Sequence, residues 1–264
     1  MKKKQIIQYI VEWLKNYCEN ADMKGFVVGV SGGIDSALTS TLCALTKKPV
    51  IVLNMPILQH KDQYDLAVAN IIWLKKKFSN VSSYEINLTD TFLKLCESLP
   101  KEIQDEHSMA NTRSRLRMLT LYTFSAHNKY LVIGTGNKVE DFGVGFFTKY
   151  GDGGVDISPI ADLLKSEVYA LARELGVIKS ILNAAPIDGL WTDARTDEQQ
   201  IGASYDELEW AMRCKNPKSE IRNPKFSRRQ KQVLEIFRRL RELNKHKMKP
   251  IPTCVIPNKL RGEK

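Results

Sequence analysis

Two segments of this chain hold the residue types best suited to chemistry. The first, Ser31-Gly32-Gly33-Ile34-Asp35-Ser36, follows the apolar run Gly25 to Val30 and precedes a stretch of helical composition from Ser36 to Leu45. Paired glycines let a backbone approach an anion closely, and the free N–H groups and dipole of a helix start favour negative charge. Ser31 and Ser36 add hydroxyl donors, and Asp35 puts a carboxylate where a phosphate-bound Mg²⁺ would sit. Neither G-x-x-x-x-G-K-[ST] nor G-x-G-x-x-G occurs, which excludes a Walker A loop and the dinucleotide fingerprint. The competing reading is a plain strand–helix turn capped by Asp35; a full hexapeptide of this kind between strand and helix disfavours it.

The second segment runs from Gly134-Thr135-Gly136-Asn137 through Glu140 and Phe146-Phe147-Thr148-Lys149-Tyr150-Gly151-Asp152-Gly153-Gly154-Val155-Asp156, with Lys165 beyond it. It supplies a hydroxyl (Thr135), a carboxylate (Glu140), two lysines (Lys149 and Lys165) for phosphate charge, and a Gly-rich turn. On chemistry alone, a flexible loop with an aromatic anchor remains an open alternative.

These segments need a frame. Apolar runs at 25–30, 49–55, 81–86 and 130–134 read as strands, and helical stretches lie at 36–45, 62–77, 89–98 and 108–128, after an amphipathic first helix from Gln5. Alternating strands and helices, each strand taken as apolar on both faces, predict an α/β fold: a doubly wound parallel sheet with helices on both faces. Such sheets bind ligands at the carboxyl ends of their strands, where both segments fall. A C-terminal helix is expected over 227–245, and Trp13, Trp73 and Trp210 are expected in packing positions, with Trp191 in a loop.

The chain has 264 residues, 43% hydrophobic and 27% charged, which suits one globular unit spanning 1–264. Its five cysteines are scattered and never spaced C-x-x-C, which points to reduced thiols in a cytoplasmic setting and away from a zinc or iron–sulfur cluster. No apolar run approaches the length of a membrane helix, and no signal peptide is evident. The net charge of +10 is concentrated in residues 213–264, which hold 17 Lys+Arg against 4 Asp+Glu. Such a tail suits an anionic partner or plain solubility.

The hexapeptide resembles the pyrophosphate loop of the PP-loop ATPases, which cleave ATP to AMP and pyrophosphate. The block Phe146–Asp156 closely resembles the signature of ammonia-dependent NAD synthetases within that superfamily. So do Thr196-Asp197-Glu198-Gln199-Gln200-Ile201-Gly202, Tyr205-Asp206-Glu207-Leu208, the set Asn111, Arg115, Arg117 and Met118, and the pair His246-Lys247. The resemblance implies an adenine-nucleotide α-hydrolase-like core over about 22–180, a lid over about 183–206 and a basic helical tail over about 207–264. It implies that Gly29, Val30, Ser31, Gly32, Gly33, Ile34, Asp35 and Ser36 hold the ATP phosphates. Asp35 and Glu140 would be the Mg²⁺ ligands, and Thr135 and Lys165 would contact ATP. Arg115, Lys149, Asp156, His246 and Lys247 would bind deamido-NAD, in a homodimer whose dinucleotide site lies at the subunit interface.

The implied reaction adenylates the nicotinate carboxylate and then amidates it with ammonia. Asp197 is taken as the candidate base for ammonia. With only about 30 residues before the loop, no glutaminase domain is expected at that end. Three positions depart from the family pattern. Ile187 stands where a hydroxyl residue contacts ATP, so that contact falls to backbone or is lost. Arg195 replaces a Gln, and the span from Thr135 to Lys149 is one residue longer than in some relatives. Arg113 is expected in a solvated position, His60, His107 and His127 as structural or exposed, and Arg228, Arg229 and Arg241 as individually neutral. The rival reading is a tRNA-modifying PP-loop enzyme using the basic tail. Against it, the tail has only Phe226 and Phe237 for base stacking and no cysteine pair for sulfur relay. No nucleic acid and no membrane are therefore expected among the partners.

Overall fold

In the computed structural model of the protein, residues 1–187, 189–190, 196–214 and 225–261 are described. Four parallel strands, β1 (Gly25–Gly29), β2 (Val50–Asn54), β3 (Val81–Glu85) and β4 (Tyr130–Ile133), lie in the order β3-β2-β1-β4. Their register pairs Phe26 with Val50 on one side of β1 and with Leu131 on the other. The chain crosses from β1 to β2 through α2 (Ile34–Leu45) and on to β3 through α3 (Lys61–Lys77). It then returns through α4 (Thr89–Ser98) and α5 (Glu106–Asn128) to place β4 on the far side of β1. The strand order therefore reverses between β1 and β4, and at such a switch point the loops leaving the two strands part to open a crevice.

The pleat sorts the strand side chains between two cores. Phe26, Val28, Val50 and Val52 pack on one face with α1 (Lys3–Asn20), α2, α3 and α6 (Lys165–Glu174). Val27, Ile51 and Leu53 pack on the other with Phe92 of α4 and Met109 of α5. The expected doubly wound α/β sheet is thus the fold found. The expectation that every strand is apolar on both faces fails for β3, where Val81 is buried but Ser82, Tyr84 and Glu85 are exposed. As the edge strand, β3 is only partly covered, so polar residues cost it little.

A third core joins α8 (Asp197–Ile201), α9 (Tyr205–Arg213) and α10 (Arg228–Asn244) to Val139 and Val144. Each of these helices begins with a capping box: Thr196 with Gln199, Ser204 with Glu207, and Ser227 with Gln230. The stretch 183–206, expected as one polar lid loop, is therefore partly helical, with Asp197, Ile201 and Tyr205 buried. Before this stretch comes α7 (Lys179–Leu182), which follows α6. The expectations for Trp191 and Arg195 fall outside the described residues. All five cysteines are unbridged, and no helix among the described residues is long and apolar enough to cross a membrane.

Trp73 and Trp210 pack against the cores as expected. Trp13 does not: it is 37% exposed, with its ring 5.6 Å from that of Tyr17 on the outer face of α1. Its neighbour Leu14 is fully buried. Leu14→Ala is expected to destabilise the protein by about 2–5 kcal/mol, the loss of buried methyls plus a cavity. Trp13→Ala should cost far less, and a pair of urea melts checks the ranking.

Candidate active site

The loops leaving β1 and β4 meet at the switch point. Gly32 has a φ of +84°, which favours glycine, and a side chain there would stand about 2.9 Å from Ala67 N and Gln63 O of α3. Gly33 caps α2 in an extended conformation, so the amides at the helix start face the crevice mouth. Two serines brace the turn. Ser36 Oγ donates to Gly33 O at 3.0 Å and accepts from Ser31 N at 3.3 Å, and Gly33 N donates to Ser31 Oγ at 3.3 Å.

On the other side of the crevice, Asn137 plays two parts. Its Oδ1 accepts from Val139 N and Glu140 N at 3.0 and 3.1 Å, capping a π-helical turn over Lys138–Val144. Its Nδ2 donates to Asp35 Oδ1 at 3.1 Å, tying the β4 loop to the β1 loop. Glu140 lies in the first turn of this π-helical segment. Two tail residues close the other end of the turn: Arg241 donates to the carbonyls of Phe142 and Gly143, and Asn244 Nδ2 to Val144 O at 2.9 Å. Arg241 is thus a structural anchor of this turn. Arg229 pairs with Glu207 at 2.6 Å.

Lys165, the first residue of α6, joins both loops. Its Nζ lies 2.6 Å from Asp35 Oδ2 and 2.9 Å from Glu140 Oε1, and its side chain is only 4% exposed. The start of α6 is itself pinned: Glu209 of α9 accepts from Ser166 N and Ser166 Oγ, both at 2.8 Å, and Glu167 accepts from Leu164 N. Burial works against the ammonium of Lys165, but the two carboxylates outweigh it and hold its pKa above the ordinary lysine value. Burial pushes the Asp35 carboxyl up, with Lys165 opposing. Burial also pushes at Glu140, but Lys165 and the Tyr205 hydroxyl bring it below its ordinary value.

Tyr205 was visible in the sequence only as part of a family block, with no role attached. Its hydroxyl bridges Glu140 Oε1 at 2.5 Å and Asp197 Oδ2 at 3.0 Å, and the Lys165 ammonium lies 4.6 Å from its ring centre. Burial and the neighbouring Glu140 hold the phenol far above its normal pKa, so it stays a donor. Asp197, the candidate base, is thereby placed beside Glu140, and its backbone N–H donates to Pro186 O at 3.1 Å.

Asp35, Glu140, Lys165 and Asp197 line a cavity of about 240 Å³ that also takes in Gly29, Val30, Thr135 and Ile187. Ser114, Arg117, Met118 and Leu121 of α5 form another wall. Ile187 reaches the site, but with an alkyl side chain. Asp141 lies over Gly136 in the space a side chain there would need, and burial with the nearby carboxylates of Glu140 and Asp152 pushes its pKa well up.

Four of the five residues expected to hold the dinucleotide gather at the loop after the π-helical turn. Arg115 Nη2 and Nε donate to Lys149 O at 3.3 and 3.4 Å, Lys149 Nζ to His246 O at 3.4 Å, and Lys247 Nζ to Phe147 O at 2.6 Å. Asp156 stands apart, accepting from Val132 N at 2.7 Å and from the Tyr122 hydroxyl at 3.0 Å, where it braces β4. Arg113, expected in solvent, is half-buried, with its guanidinium 4.8 Å from the Phe92 ring centre. Of the residues the sequence reading missed, Asn137 had a signal, an Asn just before an acidic helical turn. Glu209 had none.

Two carboxylates converging on one ammonium leave a negative charge over in a buried place, and an all-oxygen pair is the donor set that Mg²⁺ takes alongside substrate phosphates. Among the described residues no group of three or more His, Cys, Asp or Glu is arranged to hold a metal unaided. Asp35 and Glu140 thus fit as a partial set that phosphate oxygens would complete.

A family model described as NAD synthase matches residues 6–251. An NH₃-dependent NAD⁺ synthetase of Mesoplasma florum is 39% identical over 212 residues, 79% of this chain and 84% of that one. One from Alkaliphilus metalliredigens is 38% identical over 256 residues, 93% of this chain and 97% of its own. The structure of an NMN synthetase from Francisella tularensis superposes with a TM-score of 0.83 at 32% identity, covering 97% of this chain and all of that one. With the switch-point loops, the buried lysine and the matched span in agreement, the chain belongs to the NAD synthase family.

Proposed function

We propose that the protein is an ammonia-dependent NAD synthetase, a ligase that joins ammonia to the nicotinate carboxylate of deamido-NAD at the expense of ATP. The observation that carries this reading is Lys165, held between Asp35 and Glu140 where the β1 and β4 loops meet. A buried cation backed by two carboxylates, beside a helix start with free amides, is suited to a polyphosphate.

A carboxylate is a poor acceptor for an amine, because oxide or hydroxide would have to leave. Adenylation replaces that leaving group with AMP. The nicotinate carboxylate attacks the α-phosphorus, the bond to the β-phosphate oxygen breaks, and pyrophosphate departs with the electron pair into the amides of residues 31–36. Lys165 is placed to neutralise charge developing on the phosphates. Mg²⁺, held by Asp35 and Glu140, would supply further charge neutralisation when bound. Ammonia then adds to the acyl carbon and AMP leaves. Asp197, next to Tyr205 and Glu140, is the group nearest to hand for the proton that ammonia sheds. Arg115, Lys149, His246 and Lys247 would hold the dinucleotide phosphates, with Asp156 acting through β4. The working form is a homodimer in the cytoplasm, and the tail's charge serves this ligand and the packing of α10, with no nucleic acid involved.

The likeness to an NMN synthetase favours a second reading, in which the deamidated mononucleotide is the acceptor. Incubation with ATP, Mg²⁺ and ammonium, and with each acceptor in turn, separates the two. The expected result is NAD, AMP and pyrophosphate in equal amounts from deamido-NAD, with far slower turnover of the mononucleotide. ADP and phosphate as products would overturn the adenylation, and amidation of the mononucleotide alone would establish the second reading.

Asp35→Ala and Glu140→Ala should each lower turnover by about 10²-fold or more, with the fold intact by circular dichroism. A near-normal rate in either variant removes that residue from the site.

Tyr205→Phe keeps the ring over Lys165 but removes the bridge between Glu140 and Asp197. It should lower kcat by about tenfold while leaving the KM for the dinucleotide little changed. A rise in that KM with kcat preserved would place Tyr205 in dinucleotide binding instead.

A further inference from the structure

One wall of the cavity comes from Ala184, Ala185, Pro186, Ile187 and Leu190, which follow α7 and lie in no helix or strand. Backbone of this kind has no ladder to hold it and must be fastened from outside. Among the described residues, Pro186 and Leu190 are each tied to another element. Asp197 N–H, at the start of α8, donates to Pro186 O at 3.1 Å. At the other end Arg113 Nη1, from α5, donates to Leu190 O at 2.7 Å.

Arg113 is well placed to keep that hold. Its guanidinium lies over the Phe92 ring of α4 at 4.8 Å, and its side chain is half-buried between α4 and the segment. A cation against an aromatic face, donating to a carbonyl in a place partly shielded from water, makes a stronger link than a neutral surface bond. Arg113 does not line the cavity, whereas its neighbours Ser114, Arg117 and Met118 do. It is therefore the point at which α5, a helix that forms one wall of the cavity, grips another wall.

The chemistry gives this grip a purpose. Water that reached the acyl adenylate would add to the acyl carbon and break its bond to the AMP oxygen. AMP would leave with the electron pair, the protons would pass to solvent, and the original carboxylate would be regenerated. One ATP would be spent with no amide formed. Excluding water from such an intermediate is a task for walls, and walls of irregular backbone do it only while held.

We propose that Arg113 is a positioning residue that holds the wall formed by Ala184 to Ile187 and Leu190 in place, so that the acyl adenylate is consumed by ammonia and not by water. The inference rests on the ligase reading above. Arg113→Met keeps an alkyl stem on Phe92 but cannot donate to Leu190 O. Arg113→Lys retains a donor cation. The wild type and both variants are assayed with ATP, Mg²⁺ and deamido-NAD at limiting ammonium, with AMP and NAD counted together and water labelled with oxygen-18.

The wild type is expected to give AMP and NAD one to one, with little label in the recovered deamido-NAD. In Arg113→Met the hydrolysed fraction should rise by about tenfold, the worth of one charge-assisted hydrogen bond, and label should enter the nicotinate carboxylate. Arg113→Lys should restore much of the coupling. A slower Arg113→Met enzyme that still gives one-to-one products without label would overturn the inference, because a merely structural defect lowers both products together. Full activity with full coupling would overturn it too. If Arg113→Met fails to fold, Phe92→Leu removes the ring beneath the guanidinium, and its products must then show the excess AMP. A wild type that makes no NAD would instead defeat the ligase reading itself.

Discussion

A buried ammonium between two carboxylates sets the terms for the rest of this molecule. Removing the ammonium from such a group leaves two uncompensated carboxylates in a poorly solvated place and costs about 3–5 kcal/mol. The fold must therefore bring three chain segments to one point and keep them there. Asp35 comes with the helix start after β1, Glu140 with the turn after β4, and Lys165 with the first residue of α6. The strand order 3-2-1-4 makes this possible, because β1 and β4 are neighbours in the sheet though far apart in sequence. Each member has its own support: Asn137 for Asp35, Tyr205 for Glu140, and the carboxylate of Glu209 for the helix that carries Lys165.

The basic tail belongs to the same construction. Read as charge alone, residues 213–264 suggest an anionic partner. In the fold, α10 buries Val233, Leu234 and Phe237 against the core that it shares with α9 and the π-helical turn. Arg241 and Asn244 meet the carbonyls at the end of that turn, where a helix leaves its acceptors without partners. Some of the positive charge thus works as hydrogen-bond donors to backbone, a use that net charge does not reveal. Lys247 does likewise at the next loop, through Phe147 O.

The frame and the glycine turn at 31–36 were legible in the sequence because they rest on local rules. Apolar runs of strand length and glycine pairs at a helix start have their meaning within a few residues. Glu140 and Lys165 were legible through family resemblance, and the structure brings both to Asp35. Asn137, Tyr205 and Glu209 were not legible as a group, since what defines them is a partner tens of residues away or more. Arg113 was misread because nothing near it in the sequence shows what covers it; Phe92 and Leu190, which do, lie elsewhere in the chain. β3 was misread for a related reason, as hydropathy does not say which strand will be at the edge.

The hydrogen bond from Asn137 to Asp35 spans 102 residues, and that from Lys165 to Asp35 spans 130. The charged centre of the site is therefore not local, and no fragment carrying the glycine loop alone could reproduce it. A growing chain leaving the ribosome would have its phosphate loop early, yet would lack the lysine, the tyrosine and the glutamate that orient it until α9 had emerged. Phosphate-binding loops are sticky toward any polyphosphate, and one that matured early could capture nucleotide before there was anything to do with it. By spreading its parts over most of the chain, this fold makes nucleotide chemistry a property of the finished protein, and ties the onset of function to the completion of folding.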